Sequence, residues 1–277
     1  MGGMWTKEHR ARQAAFERRR RYPTDLTDEE WERVGPLLPR PARRGRPPNA
    51  DMREVLNAIR YLARAGCGWR MPPVHFGPWQ TVYWWFRRFA RRLLFRTIHD
   101  IALMLDREPA GREASPTAGV LDSQTVKAPH APGGGGGYDA AKRTKGRKRH
   151  VAVDTDGRLL MVNLTTADVQ DAQGGEAIVN AVRKRWPWLK HLFADGAYDR
   201  GKLMSAAAYR DFVVEVVRKL ADQEGFRVLP RRWVVERTFG WMVRWRRLAR
   251  DYERLPKTGE AMIHAAMSRI MLRRVAA

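Results

Sequence analysis

The sequence predicts an α/β fold in two parts. An all-α, helix-turn-helix-like domain spans residues 22–105, and a mixed five-stranded sheet with flanking helices spans 117–277. Two changes of pattern carry this reading. Large apolar residues recur at helical spacing from Trp31 to Leu105. From Ala118 they gather instead into short runs and alternations typical of strands. Between the two, residues 106–116 are polar, contain Pro109 and Pro116, and read as a linker.

In the front part, Thr27-Asp28-Glu29-Glu30 reads as a capping box, with Thr27 as cap and Glu30 reaching back. Trp31, Val34, Leu37 and Leu38 follow at helical spacing, and Pro36 kinks or ends that helix. Residues 40–48 are rich in Pro and Arg and therefore extended. Within them, Arg44-Gly45-Arg46-Pro47 resembles the core of an AT-hook, a minor-groove element; a basic linker is the other reading. Met52, Val55, Leu56, Ile59, Leu62 and Ala63 form a helical stripe that Gly66 stops. Pro78 opens a further helix whose aromatic side chains are read as core. Arg87, Arg88, Arg91 and Arg92 occupy its other face, suited to phosphate. Ile98 to Leu105 continues as helix. Residues 1–21, ending in four arginines, read as a mobile basic arm.

In the back part, Gly119 to Val126 reads as a strand delivering Asp122. Gly133 to Gly137 reads as a flexible connector; no Gly-Lys-Ser/Thr follows, so it is not a P-loop. Lys142, Arg143, Lys145, Arg147, Lys148 and Arg149 read as a basic ridge for DNA. His150 to Asp154 and Leu159 to Leu164 form a hairpin around Asp156-Gly157. A helix around 177–182, a strand ending at Asp195, a short helix at 206–209 and a strand over 212–217 follow. Two helices close the chain, one over 231–247 carrying Glu236 and one over 261–272. Three strands, then alternating helices and strands, is the element order of the RNase H-like fold.

The totals narrow the chemistry. A chain of 277 residues with 44% hydrophobic content can bury a sizeable core. Its formal net charge of +23 points to a polyanionic partner, nucleic acid first and an acidic membrane surface second. No apolar run approaches the ~18 residues of a membrane span. Cys67 is the sole cysteine, so no internal disulfide forms and a reducing compartment fits. The histidines are scattered without zinc spacing, so any metal site is made of carboxylate oxygens, which favours magnesium or manganese.

Asp122, Asp195 and Glu236 each stand where an apolar element ends or turns inward. Carboxylates held together repel one another unless divalent cations neutralise them, and such ions serve phosphoryl transfer. Asp154 and Asp156 read as turn residues, Asp199 as a cap or supporting acid, and Glu215 as an ion-pair partner. Trp233, Trp241 and Trp245 read as core.

Around these acids, Asp122-Ser123-Gln124-Thr125, Ala194-Asp195-Gly196-Ala197-Tyr198-Asp199 and Arg232-x-x-x-Glu236-Arg237-x-Phe239-Gly240-Trp241 resemble the DDE transposases of the insertion sequence 5 family, within the insertion sequence 4/5 superfamily. Leu26 to Trp31, Gly66-Cys67-Gly68-Trp69-Arg70 and Phe76 to Tyr83 extend the resemblance to the front part. It implies that Asp122, Asp195 and Glu236 are a catalytic triad binding two Mg2+ ions, or Mn2+. It also implies DNA cleavage and strand transfer at terminal inverted repeats, joining to target DNA, a DNA-bound dimer, and a cytoplasmic, nucleoid-associated bacterial protein. Arg232 matches the superfamily's arginine. Leu229 and Val243 stand where the superfamily has tyrosine and lysine, and Arg244 or Arg247 is a candidate for the missing charge. The short interval between Asp195 and Glu236 leaves no room for the large inserted β-domain of some relatives. An inactive DNA-binding derivative and a nuclease without strand transfer are the rival readings.

Overall fold

The computed structural model describes residues 21–39, 50–128, 136–218 and 233–276. Four helices come first: α1 (Asp28–Val34), α2 (Met52–Ala65), α3 (Trp79–Arg91) and α4 (Leu94–Arg107). Thr27 caps α1 as expected, its hydroxyl accepting from the Glu30 amide at 3.2 Å. Glu30, however, does not close a capping box. It is fully buried and pairs with Arg60 of α2, itself buried. Gly66 ends α2 in the left-handed region at φ 74°, where a Cβ would lie 2.8 Å from that of Arg246. Most aromatics of α3 and α4 are core: Trp85, Phe86, Phe89 and Phe95 are buried, while Trp84 is exposed.

The sheet follows: β1 (Ala118–Lys127), β2 (Gly137–Asp139), β3 (Thr144–Asp154), β4 (Leu159–Thr166), β5 (His191–Ala194) and β6 (Val213–Val216). Its order is β2-β3-β1-β5-β6, with β4 also on β3. Strand β3 is antiparallel to β1, β2 and β4, whereas β1, β5 and β6 run parallel to one another. Helix α5 (Asp171–Arg185) leads to β5, and α6 (Gly201–Tyr209) to β6. Helices α7 (Trp233–Val243) and α8 (Pro256–Val275) close the chain.

The mixed sheet with flanking helices behind an α-helical front is as the sequence predicts. Three details differ. The described residues form six strands rather than five, because β2 pairs with the first residues of β3 in the stretch read as connector and ridge. Helix α7 ends at Val243, and Trp245 is buried beyond it; Trp233, expected in the core, is exposed. Helix α4 runs two residues into the stretch read as linker, and Asp106 and Arg107 are buried.

Helix α8 is buried on nearly all sides, which marks a central element rather than a surface helix. It packs between α4 and β4 and so ties the front helices to the sheet. Where α4 meets α8, the buried His99 and His264 rings stand edge to face with centroids 5.1 Å apart. Burial holds both imidazoles below their ordinary pKa. Among the described residues, no helix is long and apolar enough to cross a membrane.

Burial also lowers the pKa of Arg60, against the opposing charge of Glu30. Removing one member of a buried pair strands the other. Glu30→Gln is therefore expected to cost about 3–5 kcal/mol, read as a fall in the urea midpoint at unchanged m-value.

Candidate active site

Strand β1 is the central strand of the site. Its alternation sorts side chains onto two faces of the sheet. Ser123 points to the α5 face, where its hydroxyl donates to Asp171 at 2.7 Å. The opposite face is marked by Gln124 and its cross-strand neighbour Arg149. Arg149 donates to the Gln124 amide oxygen at 3.3 Å and to the Leu248 carbonyl, just past α7, at 2.7 Å. Asp122 is two residues from Gln124 and shares that face.

Asp195 reaches the same level from β5. Val120 pairs with Phe193 in the parallel register. Continuing it by two residues sets Asp195 beside Asp122. The β5 strand ends at Ala194, and the Asp195 side chain accepts from the Ala197 amide at 2.9 Å, opening a tight turn. That turn brings Tyr198 back into the core. Burial pushes the Tyr198 phenol well above its ordinary pKa, and the negative charges of Asp122, Asp171 and Asp195 add to the shift. Gly175 of α5 permits the approach of Tyr198, since a Cβ there would meet the ring at 2.9 Å.

Glu236 is exposed on α7, which packs against β1 and β3. Val234, Val235, Thr238, Phe239 and Met242 form the buried face of this helix. Two bonds fix it to the β3–β4 turn: the Thr238 hydroxyl donates to the Gly157 carbonyl at 2.6 Å, and Arg237 donates to that of Asp156 at 2.7 Å. Arg237 lies over the rings of Trp233, at 4.2 Å, and Trp241, at 5.0 Å. Among the described residues, no three His, Cys, Asp or Glu side chains converge closely enough to hold a metal ion. The register of β1 and β5 leads toward Asp122 and Asp195, and the Glu236 helix packs against β1 and β3 without bringing a third carboxylate into such a group. The donor set itself, oxygen-only and partly open to solvent, fits a hard divalent cation.

Behind β1, on the α5 face, lies a polar cluster that sequence reasoning missed. Lys148 reaches Asp171 at 3.0 Å and Asp139 at 3.5 Å, and Thr125 bonds Asp139. Burial alone would raise the Asp171 carboxyl, but the Ser123 hydroxyl and Lys148 hold it below the ordinary range. His150 is fully buried beside this cluster. The Gly174-Gly175 pair, which lets α5 approach His150 and Tyr198, was the signal available in the sequence.

The basic residues divide. Lys142, Arg143 and Lys145 are exposed around the β2–β3 turn, as are Arg87 on α3 and Arg244 after α7; Arg88 is half-buried between Trp84 and Trp85. Arg147, Lys148 and Arg247 correct the expectation of a DNA-facing role. Arg147 is buried, pairs with Asp251 at 2.8 Å and donates to the carbonyls of Glu253 and Arg254. Arg247 is buried against Glu253 at 2.7 Å and donates to the Cys67 carbonyl. A guanidinium so committed must break these bonds before it can meet phosphate. Arg44, Arg46, Leu229 and Arg232 lie outside the described residues.

Residues 113–271 match the family model described as transposase DDE domain. Residues 26–99 match that described as putative transposase of IS4/5 family. An uncharacterized protein, y4sN, of Sinorhizobium fredii is 30% identical over 122 residues, covering 44% of this chain and 86% of that protein. A putative transposase for insertion sequence element IS402 of Burkholderia cepacia is 31% identical over 133 residues, covering 45% of this chain and 60% of its own length.

Burial depresses the His150 pKa to about 4. An unfolded imidazole titrates near ~6.5, so the unfolded chain takes up the proton first. The stability contributed by neutral His150 is complete above the unfolded value and is lost as pH falls to about 4. Urea unfolding at stepped pH is expected to show this decline, and His150→Gln should reduce its slope, with the buried His99 and His264 accounting for the part that remains. The lowered carboxyl of Asp171 acts in a separate window, below its unfolded pKa of ~4.

Proposed function

The chain belongs to the DDE transposases of the insertion sequence 4/5 type, and from that premise we propose that it binds the terminal inverted repeats of its element, cleaves there and joins the freed end to target DNA. The observation that supports this reading is the parallel register of β1 and β5, which pairs Val120 with Phe193, each two residues before Asp122 and Asp195, while α7, bearing Glu236, packs against β1. Asp122, Asp195 and Glu236 are the reacting-centre carboxylates in this proposal.

The chemistry is two in-line displacements at phosphorus. In the first, a water oxygen bonds to phosphorus as the bridging 3′ oxygen leaves, giving a 3′-hydroxyl and a 5′-phosphate. In the second, that hydroxyl attacks a target phosphodiester and expels its 3′ oxygen. A DDE domain uses divalent cations, and magnesium bound by the three carboxylates would supply neutralisation of the charge that builds on the phosphoryl oxygens. Mn2+ is an alternative, and two ions per site are proposed. In this proposal the carboxylate of Asp122 or Asp195 takes the proton of the attacking oxygen.

The exposed and half-buried cations hold the polyanion. Lys142, Arg143 and Lys145 grip phosphates along the rim of the sheet; Arg87 and Arg88 do so on the helical front, and Arg244 beyond α7. Arg232, Arg44 and Arg46 are assigned the same role from sequence. Pairing of two transposon ends calls for a DNA-bound dimer. Action on DNA places the protein with the nucleoid.

A plasmid assay tests the proposal. With magnesium, the purified protein is expected to nick and join DNA carrying its cognate ends, and chelation should abolish both steps. Asp122→Ala, Asp195→Ala and Glu236→Ala should each bind ends normally yet lose cleavage by at least about a thousandfold. Wild-type cleavage by Asp122→Ala and Glu236→Ala would remove the proposed centre. Cleavage without joining would leave a nuclease.

Salt dependence separates the two classes of cation. Replacing Lys142, Arg143 or Lys145 by Ala is expected to weaken DNA binding uniformly across sequences, each reducing the slope of log K against log salt by about 1. Arg147→Ala should instead lower the unfolding midpoint, because its charge is spent inside the protein.

A further inference from the structure

The β3–β4 turn is held from two sides. From the front helices, Arg107 at the end of α4 pairs with Asp154, which is fully buried. Arg158 donates to the Asp106 carboxylate at 2.7 Å and to Asp156 at 2.7 Å. Asp154 in turn organises the turn itself, accepting from the amides of Asp156 at 3.0 Å and Arg158 at 2.8 Å. From the other side, α7 bonds the same turn through Thr238 and Arg237. The contact is tight: Gly157 stands at φ 82°, and a Cβ there would lie 3.0 Å from the Thr238 hydroxyl and 3.1 Å from the Val234 carbonyl. Arg274 near the end of α8 closes the circuit, meeting Asp106 at 3.1 Å and lying over the Trp241 ring.

This is more polar machinery than a hairpin turn needs. An Asp-Gly turn closes on its own backbone. Here its carbonyls accept from the helix that carries Glu236, while the Asp154 carboxylate is held by Arg107 of α4. A turn wedged this way has little freedom to move without moving α7. Thr238 is two residues from Glu236, and Arg237 is next to it, so the two bonds fix both the rotation and the height of that helix against the sheet.

We propose that the turn Asp154–Arg158 is a positioning device that couples the helical front to α7, with Thr238 and Arg237 as positioning residues for Glu236. The inference rests on the reading of Glu236 as a reacting-centre carboxylate. Binding of a transposon end by the front helices would load α4, and the turn would pass that load to α7.

Thr238→Val keeps shape and removes the bond to Gly157. Three readouts apply: affinity for end DNA, single-turnover cleavage at saturating protein, and hydrogen exchange of residues 233–243. Expected are unchanged end affinity, cleavage slower by about tenfold or more, and faster exchange in α7, with Thr238→Ser restoring all three. Arg237→Gln, which loses the bond to Asp156, should behave likewise and serves if Thr238→Val does not fold. A double-mutant cycle then joins the two sides. Arg107→Gln combined with Thr238→Val should be clearly non-additive in cleavage rate, and additive effects would overturn the coupling. Normal cleavage and exchange in both α7 variants, with Glu236→Gln inactive, would sink the positioning role alone. An active Glu236→Gln would sink it together with the assignment it rests on.

Discussion

Strand β1 is hydrogen-bonded on both edges, antiparallel to β3 and parallel to β5, and the site depends on that double pairing. A shift of one residue against either neighbour would send Asp122 to the face now occupied by Ser123. The close approach at Gly119, where a Cβ would lie 2.6 Å from the Val153 carbonyl, helps hold the register. The two faces of β1 then do different work. On one, Ser123 and Thr125 join Asp171, Asp139 and Lys148 in a closed polar cluster. On the other, Asp122 stands level with Asp195 and remains partly open to solvent.

The same division governs the cations. A net charge of +23 favours DNA, but it also threatens the fold through self-repulsion. The chain answers by burying several guanidiniums against carboxylates: Arg60 with Glu30, Arg158 with Asp106, Arg147 with Asp251 and Arg247 with Glu253. Such pairs add little net stability, since desolvation offsets most of the attraction, yet breaking one is costly. Their effect is to fix which elements meet. Each of these four links residues distant in sequence or secures the turn after α7.

These pairs also explain where sequence reasoning stopped. The apolar stripe of α2, the strand that delivers Asp122 and the Asp-Gly hairpin were legible because their period or turn chemistry is local. The start of β3 was not. Arg147, Lys148 and Arg149 read as part of a basic ridge, because a strand of charges looks buried only when its distant acids are known. Glu30 misled for the same reason: its local neighbour suggested a capping box, while its partner lies on another helix. Trp233 was read as core from helical spacing, but it is the outer side chain of a stack with Arg237. Asp122 and Asp195 stood out in the sequence because each follows a short apolar run. That they lie level is a matter of inter-strand register, which no one-dimensional pattern contains.

Val243 is where resemblance and structure bear on each other most closely. The superfamily places a lysine there, and here the residue is apolar yet exposed. An exposed valine at the last residue of a helix contributes little to packing, so burial does not account for the loss of charge. The helix stops at this residue, and the next one, Arg244, is exposed as well. A side chain just beyond a helix end is not bound to the helical azimuth, and arginine is longer than lysine with a planar, forked head suited to phosphate. Arg247, the other candidate for that charge, is buried against Glu253. Of the two, Arg244 is therefore the one whose side chain is exposed to solvent.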